Sequence, residues 1–142
     1  MGLSGKKAVV FGGTSGIGLA AALLLAKNGV EVTAVSRKPD KAGILPSGVS
    51  LRACDVLDGS AVETLFNDLS PIDILVTAAT GGKRAIGPFL EMDIDGYKGS
   101  FDKLWGYANV VRYGAQHVKD GGSITLVSGA PARNCQPGQI AL

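Results

Sequence analysis

An α/β fold built on a doubly wound parallel sheet is what this sequence predicts, on three observations. Short, continuously apolar runs of strand length alternate with helical runs along the chain, the pattern of a parallel sheet covered on both faces. A glycine cluster, Gly12-Gly13-Thr14-Ser15-Gly16-Ile17-Gly18, stands between the first apolar run and the first helical one. The composition, 46% hydrophobic and 18% charged over 142 residues, suits one globular domain with a modest core and excludes a disordered chain.

Taken in order, Ala8-Val9-Val10-Phe11 forms a buried strand. Gly16–Asn28, rich in Ala and Leu, forms a helix that stops at Gly29, a residue suited to the left-handed position after a helix. Val30–Val35 is the second strand, and a loop with Pro39 and Pro46, holding one short helical turn, leads to the third at Val49–Ala53. Ser60-Ala61-Val62-Glu63 has the spacing of a capping box and opens a helix reaching Leu69. Pro71 separates it from the fourth strand, Ile72–Thr77. Residues 78–95 read as a loop rich in Gly and Pro. A long amphipathic helix over Tyr97–Val118, the fourth connection, then runs to Asp120-Gly121-Gly122. Ile124–Val127 is the fifth strand, after which the chain turns irregular, with Pro131 and Pro137. Right-handed crossovers order the strands 3-2-1-4-5 and leave the fifth as an open edge, which a sixth strand or a partner would cover.

The glycine cluster has the strand-turn-helix context of a phosphate-binding turn. Gly12 permits the tight turn, Gly16 lets backbone approach a pyrophosphate, and Gly18 lets the helix pack against the strand. Backbone amides of Thr14, Ser15 and Ile17, together with the helix dipole, favour an anion there. The expected unit is therefore a single Rossmann-type dinucleotide-binding domain over residues 1–142, incomplete on its C-terminal side. The second strand runs into Ser36-Arg37-Lys38, where an NAD-selective site carries a carboxylate for the ribose; Arg37 and Lys38 suit a 2′-phosphate instead. NADP is accordingly favoured over NAD. Asp55, beside Val56 at the carboxyl end of the third strand, either accepts from the adenine amino group or caps the turn that follows.

The glycine spacing Gly12-x-x-x-Gly16-x-Gly18, Asp55, and Thr77-Ala78-Ala79-Thr80-Gly81 after the fourth strand together resemble the short-chain dehydrogenase/reductase family. The family has Thr where Phe11 stands, and Asn-Asn-Ala-Gly where this chain keeps only small residues; Ala78 and Ala79 would line the path to the nicotinamide. The resemblance implies an NADP-dependent oxidoreductase that moves hydride between the nicotinamide and a carbonyl or alcohol carbon. It also implies an Asn-Ser-Tyr-Lys catalytic set. Here Lys103 takes the Asn position and Gly129 the Ser position, with Ser128 one residue away. The Tyr position falls on Leu142, or on Ala141 if counted from Ser128, and the Lys position lies past residue 142. Ser128 and Lys103 are the candidate active-site residues. Lys103 is alternatively a solvated helix charge.

The remaining signals are weaker. Tyr97, Tyr107 and Tyr113 read as packing residues, and Trp105 with Tyr113 could form a helix-mediated face for a homo-oligomer. His117, the one histidine, sits near a helix C-terminus, and the two cysteines, Cys54 and Cys135, make neither a zinc cluster nor a disulfide framework. Lys83-Arg84 is a solvated pair or a gate for an anionic substrate. A formal net charge of +2 gives no field for nucleic acid, and no apolar run reaches the ~18 residues of a membrane span. Without a signal-peptide pattern, the expected setting is the cytoplasm. Two further readings compete with an enzyme. One is a non-catalytic dinucleotide-binding module, suggested by the departures in the catalytic set. The other is a methyltransferase, disfavoured by the close glycine spacing and Arg37.

Overall fold

The computed structural model of the chain describes residues 2–80 and 85–129. Five parallel strands make one sheet: β1 (Lys7–Phe11), β2 (Glu31–Ser36), β3 (Val49–Ala53), β4 (Ile72–Thr77) and β5 (Val118–Leu126), in the order β3-β2-β1-β4-β5. The helices are α1 (Gly16–Lys27), α2 (Gly59–Leu69), α3 (Ile94–Gly99) and α4 (Asp102–Gly114). Short 3-10 turns occupy Pro39–Ala42, Phe89–Glu91 and Ala115–His117. The predicted topology and fold class are thus those observed.

Strand periodicity sorts the core into two layers. Val9 and Phe11 of β1 face α2 and α4, packing with Val35, Leu75, Val62, Phe66 and Val110. Ala8 and Val10 face the other way, meeting Val32, Val76 and Ala22 of α1. Among the described residues β5 is an edge strand, and its Ile124 and Leu126 are 39% and 49% exposed.

Three sequence expectations need correction. The helix placed over Tyr97–Val118 is two helices joined at Ser100-Phe101. Asp93 starts α3 by accepting the Gly96 amide at 2.7 Å. At the joint Ser100 Oγ donates to the Gly96 carbonyl at 3.1 Å and accepts from the Ala85 amide at 3.1 Å, tying the break to the preceding loop. Second, α4 ends at Gly114 and β5 begins at Val118 rather than Ile124. Val118 pairs with Ile72 of β4 while Ser123 pairs with Ile74, so the Asp120-Gly121-Gly122 segment is a bulge inside the strand, with Gly121 at φ +76°. Third, the capping box does not form. Asp58 is the N-cap of α2, its Oδ1 accepting the Ala61 amide at 3.0 Å, and Ser60 lies inside the helix.

Candidate functional site

The carboxyl ends of the strands open into a cleft of about 440 Å³. Ligands bind at this end of such sheets because the order of connections reverses there and leaves a crevice. Backbone hydrogen bonds fix the strand ends that form its floor. The Gly12 amide donates to the Val35 carbonyl at 2.8 Å and the Ala78 amide to that of Phe11 at 2.8 Å. The Val127 amide donates to the Thr77 carbonyl at 3.0 Å.

Each glycine of the turn serves a separate need. Gly12 has φ +76°, and a Cβ there would lie 2.7 Å from the Ala79 nitrogen and 2.8 Å from the Ala78 carbonyl carbon. A Cβ on Gly18 would overlap the Gly12 carbonyl, so Gly18 lets α1 close onto the turn. Gly16 has φ +52° and lines the cleft, yet an added Cβ would meet nothing within 4 Å. Backbone at Gly16 is therefore uncovered on the cleft side. Ser15, the N-cap residue, makes no side-chain cap, and the first turn of α1 holds no acidic residue. The first amides of α1 have no intrahelical partners, and two of their residues, Gly16 and Ile17, line the cleft.

The predicted cofactor residues largely converge. Gly12, Thr14, Ser15, Gly16 and Ile17 form one wall, Ser36 and Arg37 the next, Val56 the third, and Ala78 with Ala79 the floor. Lys103 and Ser128, from α4 and the segment after β5, stand on the same cleft. Ser36 Oγ is buried and has no hydrogen-bond partner among the described residues. Three predicted residues are not on the wall. Gly18 packs behind it, and Lys38 is exposed at the start of the Pro39–Ala42 turn. Asp55 accepts the Leu57 amide on Oδ1 at 3.0 Å, the turn-capping role. The Lys103 ammonium lies 5.3 Å from the centre of the Tyr107 ring, a cation–π distance. Lys83-Arg84 and the Ala141 and Leu142 positions lie outside the described residues.

The cleft wall also holds Phe11, Thr80 and Gly129, which the sequence marked only as positions of the family motifs, and Val35, Cys54 and Val127, which it did not single out as site residues. Their signal was positional, since each lies at or just past the carboxyl end of a strand. Burial, with Asp55 and Asp58 adding, pushes the Cys54 thiol up to about 11, so it stays protonated near neutrality. His117 stacks on Phe66 with ring centroids 5.8 Å apart, away from the cleft. Among the described residues no cluster of His, Cys, Asp or Glu could hold a metal ion, and no helix is long and apolar enough to cross a membrane. A second depression of about 430 Å³, at the amino ends of β1 to β3, is lined by Lys7, Glu31 and Asp68 and, among the described residues, by no helix N-terminus.

The sequence profile described as short chain dehydrogenase matches residues 6–141. The chain belongs to the short-chain dehydrogenase family. An L-xylulose reductase from Mesocricetus auratus is 34% identical over 105 residues, which cover 72% of this chain and 42% of that protein. Among solved structures, a short chain dehydrogenase/reductase family protein superposes with a TM-score of 0.84 at 30% identity, covering 99% of this chain and 62% of its own. A small-chain dehydrogenase in complex with NADPH superposes with a TM-score of 0.80 at 30% identity, covering 96% and 56%. This short-chain dehydrogenase chain thus spans less than two thirds of the relatives it matches.

Proposed function

We propose that this chain binds NADP(H) and forms the nucleotide-binding part of a short-chain oxidoreductase acting on a small carbonyl or alcohol substrate. The observation that carries the reading is the glycine turn opening α1 on the same cleft as Arg37, with no carboxylate at the end of β2. Amides at the start of α1 would neutralise the diphosphate, and Arg37, with Lys38 behind it, would hold the 2′-phosphate. Ser36 Oγ, buried without a partner among the described residues, would gain one from the adenosine ribose or its phosphate. Asp55, which caps the turn behind the cleft wall through Oδ1, would have its second carboxylate oxygen to offer the adenine amino group, and Val56, on the wall, would pack beside the base. Ala78 and Ala79 leave room for the nicotinamide. When bound, NADPH would supply a hydride to a carbonyl carbon whose oxygen takes a proton from solvent, giving NADP⁺ and an alcohol. Ser128 would donate to that oxygen, and the Lys103 ammonium would stabilise negative charge developing on it.

The L-xylulose reductase and the NADPH-complexed relative support this substrate class and this coenzyme. Trp105, 62% exposed on α4 next to the equally exposed Leu104, supports a homo-oligomer through that helix, whereas Tyr113, expected on the same face, packs against the core; the cytoplasm is the proposed compartment. Lys103 and Gly129, at positions where the family carries Asn and Ser, favour one second reading, a dinucleotide-binding module without turnover.

Titrating the purified protein with NADPH and NADH, followed by a panel of carbonyl compounds, tests both readings. NADPH should bind more tightly than NADH, and Arg37→Asp should erase or reverse that preference. Absence of binding by either coenzyme refutes the proposal, and binding without turnover on the whole panel selects the module.

A further inference from the structure

The cleft has two far walls, Val56 after β3 and Val127 after β5, and one helix touches both. Asn109 Nδ2 donates to the Val56 carbonyl at 2.9 Å, across a sequence separation of 53 residues. Tyr107 Oη donates to the Val127 carbonyl at 2.6 Å. Residues two apart on a helix point about 200° from each other, so these side chains leave α4 toward opposite sides. Gly106 makes the approach possible: a Cβ there would lie 2.6 Å from Val56 Cγ2. With its amide on Thr77 and its carbonyl on Tyr107, the Val127 peptide is gripped from β4 and α4 together, just before Ser128. The same Tyr107 ring underlies the Lys103 ammonium one turn earlier.

We propose that Asn109 and Tyr107 are separate positioning residues for the two ends of the coenzyme cleft, Asn109 setting the adenine end through Val56 and Tyr107 the nicotinamide end through Val127 and Lys103. The assignment rests on the dinucleotide reading above. It makes α4 a strap whose two anchors act on different halves of one ligand. A merely structural helix would transmit either loss to the whole cleft.

The test uses Asn109→Ala and Tyr107→Phe with two probes: adenosine 2′,5′-bisphosphate, which fills only the adenine half, and NADPH, whose nicotinamide emission reports the other half. Asn109→Ala should weaken both probes to a similar degree, by about three- to tenfold for one lost hydrogen bond, and leave the emission of bound NADPH unchanged. Tyr107→Phe should keep the affinity for the bisphosphate, weaken NADPH by a similar factor and shift its bound emission. Equal losses of both probes in both variants, or no change in either, overturn the assignment. If Asn109→Ala does not fold, Tyr107→Phe, which removes a single oxygen, decides the question by its split between the probes. A wild-type protein that binds neither probe overturns the dinucleotide reading, and this assignment with it.

Discussion

Replacing Gly16 with alanine should separate folding from binding. The residue sits at φ +52°, where an L side chain costs about 1–2 kcal/mol. Losing a glycine also restricts the unfolded chain, which offsets roughly 0.4–1 kcal/mol of that cost. Because the added Cβ meets nothing within 4 Å, no steric penalty follows, and the net loss should be about 1 kcal/mol. For a domain of this size that lowers Tm by roughly 3–5 °C. In the proposed binding mode the methyl would stand on the cleft side of the turn, against the diphosphate. Losing one charge-assisted hydrogen bond there, about 1.5–3 kcal/mol, weakens NADPH by about tenfold to 150-fold. Thermal melts and a fluorescence titration on the same preparation give both numbers. Gly18→Ala is the contrasting control, because its Cβ would overlap the Gly12 carbonyl and must disturb the turn itself. A Gly16→Ala protein that binds NADPH like the wild type, or that melts tens of degrees lower, would refute the reasoning.

The other expected outcomes concern packing, pH and association. Gly114→Ala pushes a methyl to 2.7 Å from Phe66 Cε2 and 3.0 Å from Leu75 Cδ2 in the core, which should cost about 1–3 kcal/mol by calorimetry; an unchanged Tm would contradict the packing. Asp73 accepts the Lys7 amide at 2.9 Å and pairs with Lys119 at 3.2 Å. Its carboxyl is held below the ordinary 3.8 chiefly by that backbone hydrogen bond, with Lys119 adding and burial opposing. A depressed pKa contributes stability that is present above the unfolded value and lost as pH falls through the folded one. Asp73→Asn should therefore melt below wild type at neutral pH, with the gap closing in acid, and a constant gap would count against the assignment. Changing Leu104 and Trp105 together to Ser should lower self-association in sedimentation velocity while leaving NADPH affinity intact, and an unaltered oligomer would remove α4 from the interface.

What was legible in the sequence is what depends on neighbours along the chain. The apolar runs gave the strands, because a strand buried on both faces must be apolar at every position. Alternating strands and helices with right-handed crossovers then left few orders, and the sheet adopts the expected 3-2-1-4-5. Backbone chemistry made the glycine turn readable as well. Glycine tolerates the positive φ of residues 12 and 16 without strain, so the spacing, in its strand-turn-helix context, announced the tight turn at the mouth of α1. Arg37 was legible because it follows directly on β2.

The rest depended on partners far along the chain. Asp58 rather than Ser60 caps α2, although both have capping chemistry, because the turn led by Asp55 brings the chain into the helix at that point. Pairing with β4 drew Val118 into β5 and turned an apparent helix terminus into a bulge. Cys54 and Val127 reached the cleft wall through strand register, and Gly106, Asn109 and Tyr107 became strap residues through the angle at which α4 crosses the sheet. Local pattern fixes which residues are buried and where the backbone must bend. Which buried residues meet is decided only when separate elements share one core, since those contacts join positions 20 to 53 residues apart that no local period relates.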